Sequence, residues 1–195
     1  MLKPNPLIKM SPTAYLAWEE NQEFKHELVG GFAVPSHGKT IRIAKLIGNL
    51  HFTFHQIHLA NGAYEAFGSQ TKVAIPNGNY RYPDLVIDCA EPRDLESYFA
   101  DTPTVIFEIL SPSNRWYDRA NKIADYQLLP ACRHIVIVWS TAVRIEVLSR
   151  LDDGNWAREA EVYEGREAQV ALAALDIKLP LEDVYRGFSD ADLPD

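Results

Sequence analysis

Cysteine is nearly absent: Cys89 and Cys132 are the two in a chain of 195 residues. Such a pair builds neither a disulfide framework nor a structural zinc site, and it fits a reducing cytoplasm. Long apolar runs are missing as well. None approaches the roughly 20 residues that span a bilayer, so no membrane partner is expected. Met1 to Met10 carries Lys3 and Lys9 but no apolar stretch, so no signal peptide is expected either. There is no excess of positive charge: 19 Lys and Arg stand against 27 Asp and Glu, for a net charge of −8 and a pI near 5.2. That balance excludes a protein that coats nucleic acid by bulk attraction. It leaves room for clustered carboxylates beside a local basic patch, whose grip on a phosphate backbone would be weak and salt-dependent without metal. No repeat, low-complexity tract or Gly/Pro/Ser-rich linker divides the chain. What is present is 47% hydrophobic and 24% charged, the composition of one globular domain with an ample core.

Periodicity places the elements. Ser11 and Pro12 predict a capped helix start that runs on to Glu20. Lys25 to Pro35 reads as two short strands around Gly30-Gly31. Ile43, Ile47, Leu50, Phe54 and Ile57 recur at spacings of four and three, which predicts a long helix from Thr40 to Leu59, stopped by Asn61-Gly62. Glu65 to Ile75 and Tyr80 to Asp88 read as a hairpin about Asn77-Gly78-Asn79. Val105 to Leu110 is a short apolar strand. Ser111-Pro112-Ser113 ends it and leads into a helix from Arg115 to Leu129, closed by Pro130. His134 to Trp139, Arg144 to Arg150 and, after a turn at Asp152 to Asn155, Trp156 to Tyr163 read as further strands. Strand, helix and strand in succession predict one parallel crossover in an otherwise antiparallel sheet. The fold class is therefore α/β, a mixed sheet flanked by helices.

Two acids break the pattern of a core strand, because an unpaired carboxylate is costly to bury. Asp84 directly precedes the apolar run Leu85-Val86-Ile87. Glu108 lies inside Val105 to Leu110, with Ile106 and Leu110 as its neighbours on the same face. Carboxylates on adjacent strands can share a hard cation such as Mg²⁺, which can activate water and neutralise charge on a phosphate. The alternative is a structural ion pair, with Glu108 on a buried Arg or Lys and Asp84 capping a turn. On the helix that follows Glu108, Asp118, Lys122 and Tyr126 are spaced four apart and share a face. The connecting turn is short, so Lys122 can reach back toward Glu108, where a lysine could orient or deprotonate a water or stabilise a phosphorane. Asp118 and Lys122 could equally be an ordinary surface pair worth a few tenths of a kcal/mol.

These residues resemble a known pattern. Pro83-Asp84, the string Glu108-Ile109-Leu110-Ser111-Pro112-Ser113, and then Asp118, Lys122 and Tyr126 are similar to the Uma-type restriction endonuclease family of the PD-(D/E)XK nuclease superfamily. His26 to Gly31 resembles that family's first hairpin, and Leu179-Pro180-Leu181 to Tyr185 its ending. The resemblance covers roughly residues 10 to 188 of a single nuclease-like domain, 1–195. It implies a restriction-endonuclease-like fold and a Mg²⁺-dependent DNA endonuclease, with Mn²⁺ as a substitute. Asp84 and Glu108 would ligate the metal, joined by the backbone carbonyl of Ile109. Glu27, Asp118 and Tyr126 would be accessory. The superfamily's lysine two residues after the glutamate is Leu110 here, and the resemblance implies that Lys122 replaces it. Two departures stand beside this: the chain has no clear counterpart of the family's histidine near the start of the long helix, and Gly30 stands where an acid is common.

Other features admit two readings. Lys39, Arg42 and Lys45 step by three and could contact phosphates, or form a solvated helix face. Arg115 and Arg119 are candidate nucleic-acid contacts beside the site. His51, His55 and His58 share one face of the long helix, which suits a transition metal or a plain boundary face. Beside a DNA nuclease, two rivals stay open: an inactive nuclease-fold protein acting as a DNA-binding or regulatory dimer, and a structural homodimer whose buried acids serve ion pairs.

Overall fold

The computed structural model describes residues 8–36, 38–58, 64–89, 94–110 and 116–193, without the side chains of 57, 58 and 116–118. The chain begins β1 (Ile8–Lys9), α1 (Pro12–Glu19), β2 (His26–Val29), β3 (Phe32–Pro35) and α2 (Ile41–His58). Next come β4 (Glu65–Gly68), β5 (Val73–Ala74), β6 (Tyr80–Arg81), β7 (Leu85–Asp88) and β8 (Pro103–Leu110). It ends with α3 (Trp116–Gln127), β9 (His134–Trp139), β10 (Arg144–Ser149), β11 (Glu161–Glu164), β12 (Gln169–Leu172), β13 (Ile177–Pro180) and α4 (Leu181–Val184).

A six-stranded sheet in the order β11-β10-β9-β8-β7-β4 carries the domain. Its one parallel pair is β8 with β9, joined by the α3 crossover, and every other pair in it is antiparallel. Strand alternation sorts its side chains between two layers. Leu85, Ile87, Val105, Phe107 and Ile109 face Ile43, Leu46, Leu50 and Phe54 of α2 and the C-terminal Leu179, Leu181 and Tyr185. Val86, Ile106, Ile135 and Ile137 face the opposite layer, with Tyr126 of α3 and Leu129 just beyond it. Glu108 shares the register of Ile106, so it points into the α3 layer.

A second sheet, β1-β3-β2-β6-β5, is wholly antiparallel and packs Tyr15, Leu28 and Ala33. Ser11 caps α1 by accepting the Ala14 amide, with Pro12 in the first turn, as the sequence predicts. Gly30 and Gly31 turn the β2–β3 hairpin with φ of 57° and 82°, values that a Cβ disfavours.

The segments read as two long strands, 65–75 and 80–88, are each divided between the sheets. β4 and β7 belong to the larger sheet, β5 and β6 to the smaller. A turn at Ser69-Gln70 interrupts the first. Pro83, which has no N–H to give a ladder, lies between the two halves of the second. The break sets Arg81 and Asp84 at the corner where the sheets meet. Trp156 makes only a bridge to Arg150, and the strand expected from it starts at Glu161. The β12–β13 hairpin was not expected at all. Asn61-Gly62 and Ser111-Pro112-Ser113, read as breakers, lie outside the described residues.

Candidate active site

Asp84 is fully buried and docks on β8 on both sides of Glu108. Its amide donates to the Phe107 carbonyl at 3.1 Å, and its Oδ2 accepts the Ile109 amide at 2.7 Å. The β7–β8 register sets Ile109 opposite position 83, so the carboxylate takes up the amide of a strand residue that β7 does not extend to pair. Lys39 brings its ammonium to 2.8 Å from Oδ1 but not along a hydrogen-bonding direction, so Oδ1 is a buried acceptor without a hydrogen bond.

Glu108 is 8% exposed and meets α3. Lys122 Nζ donates to its two oxygens at 3.0 and 3.1 Å, and the Tyr126 hydroxyl donates at 2.6 Å. Lys122 and Tyr126 are one helical turn apart, which aims both at the same strand position. Burial pushes the Glu108 carboxyl above the usual range. Lys122 opposes this, Asp84 adds to it, and Lys39 also opposes it. Burial alone would lower the Lys122 pKa, but Glu108, Glu27 and Asp84 together hold it above an ordinary lysine. The Lys122 ammonium is thus set between Glu108 and Glu27, with two hydrogen bonds to the former.

Glu27 extends the network. It accepts Arg81 at 2.9 Å and the Tyr82 amide at 3.0 Å, with Lys122 3.5 Å away. Burial disfavours its charge, yet Lys122 and Arg81 outweigh that and lower its pKa. Arg81 also reaches Asp125 of α3 at 2.6 Å, and Asp125 accepts Asn77 and Asn79 from the turn before β6. Arg81 and Asp125, both buried, were missed by sequence reasoning. A signal existed: Arg81 is as anomalous as Asp84 in the same strand segment, and Asp125 follows Lys122 by three on the same helix.

The remaining predicted residues are placed as follows. Lys39 joins the site, whereas Arg42 and Lys45 do not form a ridge with it. Arg42 donates to the carbonyls of Ser140 and Asp192, and Lys45 donates to that of Gly187 and lies 4.4 Å over the Phe188 ring. They fasten α2 to the C-terminal segment. Arg119 pairs with Glu146 on β10. Arg115 and the side chain of Asp118 lie outside the described residues, as does that of His58. His51 is half-buried against Gly68, with its pKa lowered by burial, and His55 is exposed. Among the described residues no group of three or more His, Cys, Asp and Glu is set to hold a metal.

The site does offer hard oxygen donors. Asp84 and Glu108 are two of them. The Ile109 carbonyl lies on the same edge of β8 as the amide that binds Asp84, because a strand residue turns both groups to one edge. The buried Asp84 Oδ1 without a hydrogen bond suits a cation that keeps waters in its shell and needs few protein ligands.

Comparison with known proteins bears on this arrangement. The family model for Uma2, described as "Putative restriction endonuclease", matches residues 12–182. The chain is 33% identical over 193 residues to "Uncharacterized protein slr1290" of Synechocystis sp., covering 94% of this chain and 95% of that one. It is 25% identical over 166 residues to "Uncharacterized protein sll1609" of the same organism, covering 84% and 93%. Its fold is similar to the crystal structure of "a putative nuclease belonging to DUF820" from Anabaena variabilis, with a TM-score of 0.74 and 14% identity over 90% of this chain and 97% of that one. At that identity the likeness shows the fold, a nuclease-like mixed α/β sheet flanked by helices.

Proposed function

The chain belongs to the Uma2 family described as "Putative restriction endonuclease", and on that premise we propose that it is a divalent-metal-dependent endonuclease hydrolysing phosphodiester bonds of DNA. The observation that carries this reading is the convergence of Asp84 and Glu108: Asp84 binds the Ile109 amide beside Glu108, and Lys122 bonds Glu108 from the helix behind it. Asp84, Glu108 and the Ile109 carbonyl would hold Mg²⁺ or Mn²⁺. When bound, such an ion polarises a phosphate and lowers the pKa of its water. Lys122, held cationic, orients the attacking water and offsets charge on the phosphate. Tyr126 keeps the Glu108 carboxylate aimed, and Glu27 keeps Lys122 in place. The reading includes a cytoplasmic location and a homodimer.

A second reading has one observation in its favour. Each acid already has its own ammonium, Lys39 on Asp84 and Lys122 on Glu108. A protein that kept the fold and lost catalysis would close its site in this way and act by binding DNA. Incubation of the wild-type protein with duplex DNA separates the two. The proposal expects scission in Mg²⁺ or Mn²⁺ and none in EDTA. DNA binding without scission in either metal supports the second reading instead.

A further inference from the structure

Lys39 is placed unlike the other cations of the network. Its side chain is 30% exposed, against 13% for Lys122 and 2% for Arg81. It stands on the exposed approach to α2, with Gly38 and Thr40 on either side. Lys122 is shared by two carboxylates and makes two hydrogen bonds to Glu108. Lys39 touches Asp84 without a hydrogen bond. An ion pair at that exposure is weakly held, and a doubly charged ion competing for the same oxygen attracts it more strongly.

Lys39 also lines a cleft of about 470 Å³ with Lys25, Ser36, Ser69, Gln70 and Tyr82. Lys25 is fixed there, donating to the Ser69 carbonyl and lying 5.1 Å from the Tyr82 ring centre. Glu23 and the exposed Phe24 stand at the same cleft. This cleft combines cations with a direct contact to Asp84. The cleft at Phe52, Lys178 and Arg186 also carries cations, but no residue of the site lines it and Arg186 is paired with Asp183. The cleft at Tyr80, Phe99 and Asp101 has no Lys or Arg.

We infer that Lys39 serves two anions in turn: it neutralises Asp84 in the metal-free protein and, once a divalent cation holds Asp84 and Glu108, joins Lys25 in the cleft to bind a phosphate of the nucleic-acid strand. The inference rests on the metal-site reading above and names the surface the substrate occupies.

Lys39→Gln tests it by two measurements that need no catalysis. The first is calorimetric titration with Mg²⁺ and Ca²⁺. The variant should bind either ion about fivefold more tightly than wild type, since its competitor is gone. The second is fluorescence anisotropy with a short duplex oligonucleotide. Wild type should gain affinity when Ca²⁺ replaces EDTA, while the variant loses about tenfold in Ca²⁺ with a salt slope lower by about one. Lys39→Arg should restore oligonucleotide binding, and Lys178→Gln should leave it unchanged. Equal cation affinity in Lys39→Gln and wild type overturns the inference, as does a loss of oligonucleotide binding on Lys178→Gln and not on Lys39→Gln. Wild-type protein that takes up neither ion is a different result. It overturns the metal-site reading and this inference with it.

Discussion

Tyr126 donates a 2.6 Å hydrogen bond to Glu108 from the buried face of α3, so the helix that follows β8 reaches back to hold a carboxylate on that strand. Lys122 does the same from one turn earlier. The geometry follows from the fold. The crossover between the parallel strands β8 and β9 returns α3 over the layer that Glu108 faces, and residues four apart on α3 meet the same strand position. A lysine on the strand itself, at Leu110, is then unnecessary for placing a cation beside the glutamate.

Removing the Tyr126 hydroxyl alone should loosen that carboxylate. Tyr126→Phe keeps the ring in its buried place and deletes a hydrogen bond to a charged group, so stability should fall by about 1.5–3 kcal/mol. Cleavage should fall with it while DNA affinity holds. Urea unfolding and anisotropy on the same preparation check both; unchanged stability would mean that the bond contributes nothing.

Arg81 ties Glu27 to Asp125 in the interior. Arg81→Met would take the guanidinium from two buried carboxylates, leaving Glu27 with Lys122 and the Tyr82 amide and Asp125 with Asn77 and Asn79, and breaking such a buried pair from one side costs roughly 3–5 kcal/mol. Asp125→Asn, which keeps one of the two acceptor oxygens and leaves Glu27 its guanidinium, should cost less. Chemical denaturation of the two variants orders them, and the opposite order would remove Arg81 from the centre of the network.

His134 gives stability a pH dependence away from the site. Its Nδ1 faces Ser149 Oγ at 3.0 Å, and its Nε2 accepts the Ala174 amide at 3.2 Å, which needs a neutral ring. Burial lowers its pKa below the ordinary 6.5, with Arg133 adding and Glu161 opposing. Below that value the unfolded chain takes up a proton that the folded chain refuses, so stability is lost as pH falls toward the depressed folded pKa. The contribution is complete only well above the unfolded value of 6.5. The urea midpoint of wild type relative to His134→Gln should therefore narrow between about pH 7.5 and 5.5. A constant difference would show that His134 does not titrate with folding.

Asp84, Glu108 and Lys122 were legible because each conflicts with its setting: acids in apolar strand segments, and a lysine aligned with them on the next helix. Arg81 carried the same kind of signal as Asp84, a charge in the strand read from Tyr80 to Asp88, and was passed over, while Asp125 on a mixed helix looks like a solvated acid until its partner is known. Lys39 was read with Arg42 and Lys45 because spacing shows a shared face, but not that Asp84 from another element lies under the first of the three. The crossover and both hairpin glycines followed from local pattern. The division of 65–75 and 80–88 between two sheets did not, because pairing partners are non-local and Pro83 marks only that a strand is interrupted. The four-residue strands β12 and β13 are too short for alternation to reveal.

The most direct test is Glu108→Gln, which preserves the shape of the side chain and its acceptor oxygen for Tyr126 while removing the charge. Cleavage of duplex DNA is compared with wild type in Mg²⁺ and Mn²⁺, with circular dichroism on both proteins. The proposed function predicts an intact fold and no metal-dependent scission; wild-type scission by the folded variant contradicts it.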